Sequence, residues 1–208
     1  MLTIWGRANS VNVMKVLWLA EELGVPYTRI DAGGAFGRTR DPDYVAMTPN
    51  PSVPTLVMPN GYSLWESNSI LRFLARTQSG GEAFYPRDAE AAGNVDRWMD
   101  WTLASLNAPM RDIFWTFVRT PEAERDLPAA ARATEAAGKL YAMLDKQLAG
   151  RDYVAGNLSI ADMALGGFVH RWFNTPGERP ALPNVRRWYD TMLARPAYAK
   201  HVAVLPLT

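Results

Sequence analysis

Three short clusters in the first third of the chain hold residue types that bind small polar ligands. In Asn9-Ser10-Val11-Asn12 a hydroxyl and two amides stand where an apolar helical pattern begins. N-capping by Ser10 accounts for that placement, yet a hydroxyl and an amide N–H beside helix N–H groups also suit an anion such as a thiolate. In Trp65-Glu66-Ser67-Asn68-Ser69-Ile70 a strand gives way to a helix, with Ser67 as the expected cap. The free N–H groups there suit a carboxylate and Glu66 suits an ammonium, so an α-amino acid head group fits both. The third cluster is Val53-Pro54, ahead of an apolar strand. A proline opening a strand in trans explains this dipeptide by itself.

Composition narrows the chemistry. The 208 residues contain no cysteine, which excludes disulfides, thiolate metal sites and a cysteine nucleophile. Any thiol chemistry must use a thiol that diffuses in. The two histidines, His170 and His201, are too few and too far apart for a histidine metal cluster, so no metal is expected. A net charge of +1, from 22 basic and 21 acidic residues, gives no nucleic-acid or membrane footprint. The first residues lack a secretory pattern and no run is long and apolar enough to span a membrane, so the cytoplasm is the expected location.

The elements that must hold the clusters read as two regions. Leu2 to Trp5 is a strand, and Val13, Val16, Leu17, Ala20 and Leu23 follow at helical spacing until Gly24 and Pro26. Tyr27 to Ile30 is a second strand, and Asp41-Pro42 starts a short helix. Thr55–Met58 and Tyr62–Trp65 make a hairpin about Pro59-Asn60-Gly61, and a helix from Ser67 carries Ile70, Leu71, Phe73 and Leu74. Residues 1–77 therefore read β-α-β-(α)-β-β-α, an α/β domain, and 78–88 read as a linker. From 89 to 208 the pattern is all-α: Ala89 to Val118, Pro121 to Leu148, Ser159 to Phe173, and shorter helices after Pro183 and Pro196. Ser159 and Asp162 form a capping box, and losing that carboxylate is expected to cost about 0.5–2 kcal/mol.

Taken in order, these motifs resemble those of the cytosolic glutathione transferases, nearest the bacterial theta and nu types, and the resemblance spans the whole chain. It rests on Trp5-Gly6-Arg7 with Ser10, Asn12, Lys15 and Val16, on Thr48-Pro49-Asn50-Pro51-Ser52-Val53-Pro54, on Leu64 through Ile70, on Ser159-Ile160-Ala161-Asp162 and on Arg195-Pro196-Ala197-Tyr198. The resemblance implies a thioredoxin-like N-terminal domain, a helical-bundle C-terminal domain that forms the electrophile site, and glutathione as co-substrate. It implies a cis bond at Pro54 that turns the Val53 backbone toward the glutathione cysteine. Glu66 and Ser67 would hold the γ-glutamyl group, Thr39 the glycyl carboxylate, and Ser10 with Asn12 the sulfur. It also implies a homodimer, and places Asp96 where relatives reach the partner's glutathione, although a solvated helix position explains that residue.

The implied activity is conjugation of glutathione to small hydrophobic electrophiles. Glutathione-dependent disulfide reduction is the nearest alternative, and a non-catalytic glutathione-binding module is a third. Thr48 and Pro51 depart from the commoner Asn and Gly, and Ser52 stands where a basic residue is usual, which puts the geometry of that loop in question. Trp98, Trp101, Pro109, Met110, Ile113, Phe114 and Trp115 divide between core and electrophile pocket.

Overall fold

The computed structural model describes residues 1–207. Strand β1 (Leu2–Trp5) alternates buried and half-buried side chains and lies inside the sheet. It pairs in parallel with β2 (Tyr27–Ile30), from Leu2 opposite Tyr27 to Trp5 opposite Ile30. On its other side it runs antiparallel to β3 (Thr55–Val57), which pairs with β4 (Ser63–Trp65) to give the order β2-β1-β3-β4. The hairpin strands are slightly shorter than the sequence suggests. Met58 and Tyr62 belong to the turn, which is closed by Met58 N–H donating to the Tyr62 carbonyl at 2.8 Å.

Helix α1 (Val11–Glu22) buries every residue from Val13 to Ala20. A helix buried on every side over this stretch, and apolar there except for Lys15, needs cover all round. It packs against α3 (Ser67–Thr77) in its own domain and against α7 (Ile160–Asn174) of the helical region. The start of α1 therefore opens onto the junction between the two halves. Glu22, at its other end, takes a bidentate pair from Arg195 at 3.0 and 2.8 Å. The short helix α2 (Pro42–Val45) follows a single turn over Gly34–Phe36.

Beyond α3, Gly81 and Tyr85 are buried within the expected linker, and the Ile160 N–H donates to the Phe84 carbonyl at 3.0 Å. The helix expected over 89–118 is a continuous helical path with two interruptions. α4 (Ala89–Trp101) passes through wide, π-type turns at Thr102–Leu106 into α5 (Asn107–Phe114), and a second wide stretch covers Trp115–Arg119. Pro109 supplies a reason for the first, since it has no N–H to donate and its ring crowds the carbonyl four residues back. The next helix, α6 (Leu127–Gln147), begins later than Pro121, capped by Asp126 accepting from Ala129 N–H at 2.8 Å. α8 (Pro183–Leu193) and α9 (Pro196–Tyr198) complete the bundle around α7, which is buried from Ile160 to Trp172.

Asp162 does more than cap α7. Its fully buried carboxylate accepts from Ser159 N–H at 3.0 Å, Ser159 hydroxyl at 3.1 Å, Val154 N–H at 3.0 Å and Trp188 Nε1 at 2.9 Å. It ties the loop before α7 to α8, so the capping estimate of its worth is too small.

Candidate functional site

Ser10 sits at the N-cap of α1 with extended backbone, but its side chain makes no capping hydrogen bond. The hydroxyl is left for another partner. Ser10 and Asn12 line a cleft of about 410 Å³ between the halves, opposite Phe114 and Trp115 from α5 and its wide extension and Phe168 and Arg171 from α7. The chain can turn this tightly from β1 into α1 because Gly6 has no side chain. A Cβ there would lie 2.5 Å from Val13 Cγ2 and 3.2 Å from Val53 Cβ. The same contact places Val53 beside the turn that delivers Ser10.

The Val53–Pro54 peptide is cis, as the resemblance implies. The loop before it, with Thr48 and Pro51, is held by its own hydrogen bonds. Thr48 Oγ1 accepts from Asn50 N–H at 3.1 Å, a side-chain turn in place of the one an asparagine makes. Ser52 N–H donates to the Asn50 carbonyl at 2.8 Å, and Tyr44 hydroxyl holds both the Ser52 carbonyl and Thr55.

At the next corner the sequence expectation needs correcting. Ser67 is not the cap but the first helical residue of α3, and the cap position belongs to Glu66, which makes no side-chain cap bond. Glu66 has φ +67°, a left-handed conformation that costs a non-glycine residue of order 1–3 kcal/mol and is typically retained at functional sites. Its carboxylate accepts a long hydrogen bond from Asn50 Nδ2 at 3.4 Å, linking this corner to the cis-proline loop. Beneath it, buried Lys15 donates to Asn68 Oδ1 at 2.7 Å, and Asn68 Nδ2 donates to the Met99 carbonyl at 3.2 Å. Burial pushes the Lys15 ammonium down to about 7 against the pull of Glu66.

Thr39 is the outlier among the sequence-derived residues. It lies in the turn after Arg38, and among the described residues no hydrogen bond joins its side chain to the other site residues. Arg38 lies over the Trp5 ring at 4.6 Å and pairs with Asp43 at 3.2 Å. Asp96 is no free helix residue either: it pairs with Arg72 at 2.6 Å and accepts from Tyr85 hydroxyl at 2.9 Å.

Of the aromatic set, Trp98, Met110 and Ile113 are core, whereas Phe114 and Trp115 face the cleft. What the sequence reading missed is the charge of that cleft. Arg7, Arg111, Arg119 and Arg171 all line it, and no Asp or Glu among the described residues does. A roomier and largely apolar groove, about 560 Å³, lies along α6 between Leu127 and Pro180, but it holds none of the sequence-derived site residues.

Comparison with known proteins accords with this geometry. Residues 1–76 match the family model described as the glutathione S-transferase N-terminal domain, and residues 106–196 match that of the C-terminal domain. The chain is 38% identical to glutathione S-transferase GstB of Escherichia coli (strain K12), with all of both chains covered. It is 25% identical to glutathione S-transferase D6 of Drosophila melanogaster, over 90% of this chain and 85% of that one. Among solved structures, the theta class glutathione S-transferase of Xanthomonas axonopodis pv. citri, with glutathione bound, superposes with a TM-score of 0.94 at 47% identity, covering 100% and 99% of the two chains.

Proposed function

Because this chain belongs to the glutathione S-transferase family and joins glutathione to electrophiles, we propose that Ser10 is the group that holds the bound sulfur as a thiolate, assisted by Asn12. The observation that carries the reading is a hydroxyl at a helix N-cap that caps nothing and lines the interdomain cleft. A free thiol with pKa near ~8.5 is only a few per cent ionised at neutral pH. Lowering it by about two units requires roughly 2.7 kcal/mol in favour of the anion. One hydrogen bond to a charged acceptor supplies about 1.5–3 kcal/mol, and the α1 N-terminus adds to it. No metal is needed for that, and among the described residues no group of three or more His, Cys, Asp or Glu is placed to hold one.

The tripeptide lies along the cis-proline loop in this reading, its cysteine backbone against Val53 beside Pro54. The γ-glutamyl ammonium meets Glu66, and its carboxylate meets Ser67 and the free N–H groups opening α3. The strained backbone at Glu66 and its link to Asn50 support that assignment. The glycyl carboxylate goes to Thr39. Residues 1–77 form the glutathione-binding unit and 89–208 supply the electrophile side, with 78–88 between them. The molecule works as a homodimer in the cytoplasm. Support for the dimer comes from exposed Tyr62 and Trp65, large apolar side chains that a partner would cover.

Replacing Ser10→Ala and Asn12→Ala together should raise the thiol pKa of bound glutathione by one to two units, read as ultraviolet thiolate absorbance against pH. An unchanged titration removes both residues from the mechanism.

A further inference from the structure

A capping hydroxyl is anchored by the N–H groups it accepts from, but the Ser10 side chain makes no such bond. Its direction is therefore set by its backbone. The Ser10 N–H donates to the Arg7 carbonyl at 3.3 Å, and the Ser10 carbonyl accepts from Val13 and Met14 N–H at 2.9 and 2.8 Å. The carbonyl side of the Asn9–Ser10 peptide is held from 162 residues away, where Arg171 Nη2 donates to the Asn9 oxygen at 3.2 Å.

The packing of α7 delivers Arg171 to that peptide. Gly167, one turn earlier on the same face, has no side chain to keep α1 away, and a Cβ there would lie 3.1 Å from Val11 Cγ1. α7 can therefore pass close to the start of α1 and carry Arg171 up to the turn before it. The guanidinium lies 3.6 Å over the Phe114 ring, a flat shelf that fixes its plane, and the residue is 8% exposed. Burial, and then the proximity of Arg7 and Arg119, bring it down to about 9, so it stays charged at neutral pH and makes a charge-assisted bond. Phe114 belongs to α5, so two helices of the C-terminal half converge on one peptide of the N-terminal half.

We infer that Arg171 is a positioning residue for the thiolate: by holding the Asn9 carbonyl from the helical half, it fixes the plane of the Asn9–Ser10 peptide and so aims the Ser10 hydroxyl at the glutathione sulfur. The inference rests on the role proposed for Ser10 above. A hydrogen bond weakens steeply as its angle falls toward ~120°, so a modest rotation of that peptide removes much of what the hydroxyl contributes. Arg171 acts through Ser10 and needs no contact with the sulfur. The packing of α7 on α1 thereby tunes the acidity of a thiol bound in the other half of the chain.

A double-mutant cycle on the full chain separates this role from a direct effect of charge, with the thiol pKa of bound glutathione read as ultraviolet absorbance against pH. Ser10→Ala should raise that pKa by about one unit, and Arg171→Met, which keeps an apolar stem on Phe114, by about 0.5–1 unit. The double variant should titrate like Ser10→Ala alone, because a residue acting through the hydroxyl has nothing to act on once it is gone. Arg171→Lys, whose ammonium reaches a carbonyl without the flat stack, should recover at least half of the shift. If Arg171→Met does not fold, Phe114→Leu replaces it in the cycle: losing the shelf frees the guanidinium, and the smaller rise that results should likewise vanish in the Ser10→Ala background. Additive shifts would mean that the charge acts on the sulfur directly, and an unmoved titration in the folded variants would mean a purely structural arginine. Either result overturns the inference and leaves the Ser10 reading intact. If Ser10→Ala itself titrates like the wild type, that reading fails and takes the inference with it.

Discussion

Lys15→Met tests whether the polar bridge under the ligand corner is held at a cost. Lys15 is 5% exposed, and among the described residues its ammonium has one hydrogen-bond partner, Asn68 Oδ1 at 2.7 Å. Burial lowers it from 10.5 to about 7, and 3.5 units at about 1.4 kcal/mol each is roughly 5 kcal/mol disfavouring the charged form in the folded state. Between pH 7 and 10.5 the folded protein has released a proton that the unfolded chain still holds, so stability rises with pH through that window. Below 7 both states are protonated and the penalty is constant. Methionine fills similar volume without the charge but leaves the Asn68 oxygen unsatisfied, at about 1–3 kcal/mol. The variant should therefore at least match the wild type at pH 7, and its margin should shrink by about 2 kcal/mol by pH 9.

Urea unfolding at pH 6, 7, 8 and 9 reads this difference directly. Burial also raises Tyr141 and Tyr198 well above the ordinary tyrosine value, but both proteins share that effect and it cancels in the comparison. Parallel stability curves across the range would refute the argument, because the buried lysine would then not be titrating. A functional consequence follows from position, since Asn68 is the residue after Ser67. Loosening it should raise the KM for glutathione more than it lowers kcat.

Asp162→Ala strips the acceptor from four buried donors and should cost about 3–5 kcal/mol in urea unfolding, well above the worth of one cap. A loss under 1 kcal/mol would mean the donors find water. Gly6→Ala drives a methyl to within 2.5 Å of Val13 and crowds Val53, so it should destabilise by about 1–3 kcal/mol and weaken glutathione binding. Equilibrium unfolding and isothermal titration with glutathione check the two parts separately, and unaltered affinity would show that Val53 does not depend on this contact.

By itself the sequence determined whatever depends on neighbours within a turn or a strand. Period-two and helical patterns placed β1, α1, β2 and the hairpin, and the Ser159–Asp162 box marked the start of α7. The ordered motifs identified the family, and with it the cis bond at Pro54 and the candidate ligand corners. Even some local readings failed: Ser67 looks like a cap, but the chain reaches its left-handed turn one residue earlier, at Glu66. Tertiary structure alone decided that Asp162 serves α8 as well as α7, that Lys15 joins α1 to α3, and that Ser10 spends nothing on capping. It alone brought Arg7, Arg119 and Arg171 together. Periodicity relates residues three or four apart, whereas these arginines come from three separate segments that only the packing of the two halves brings to one cleft.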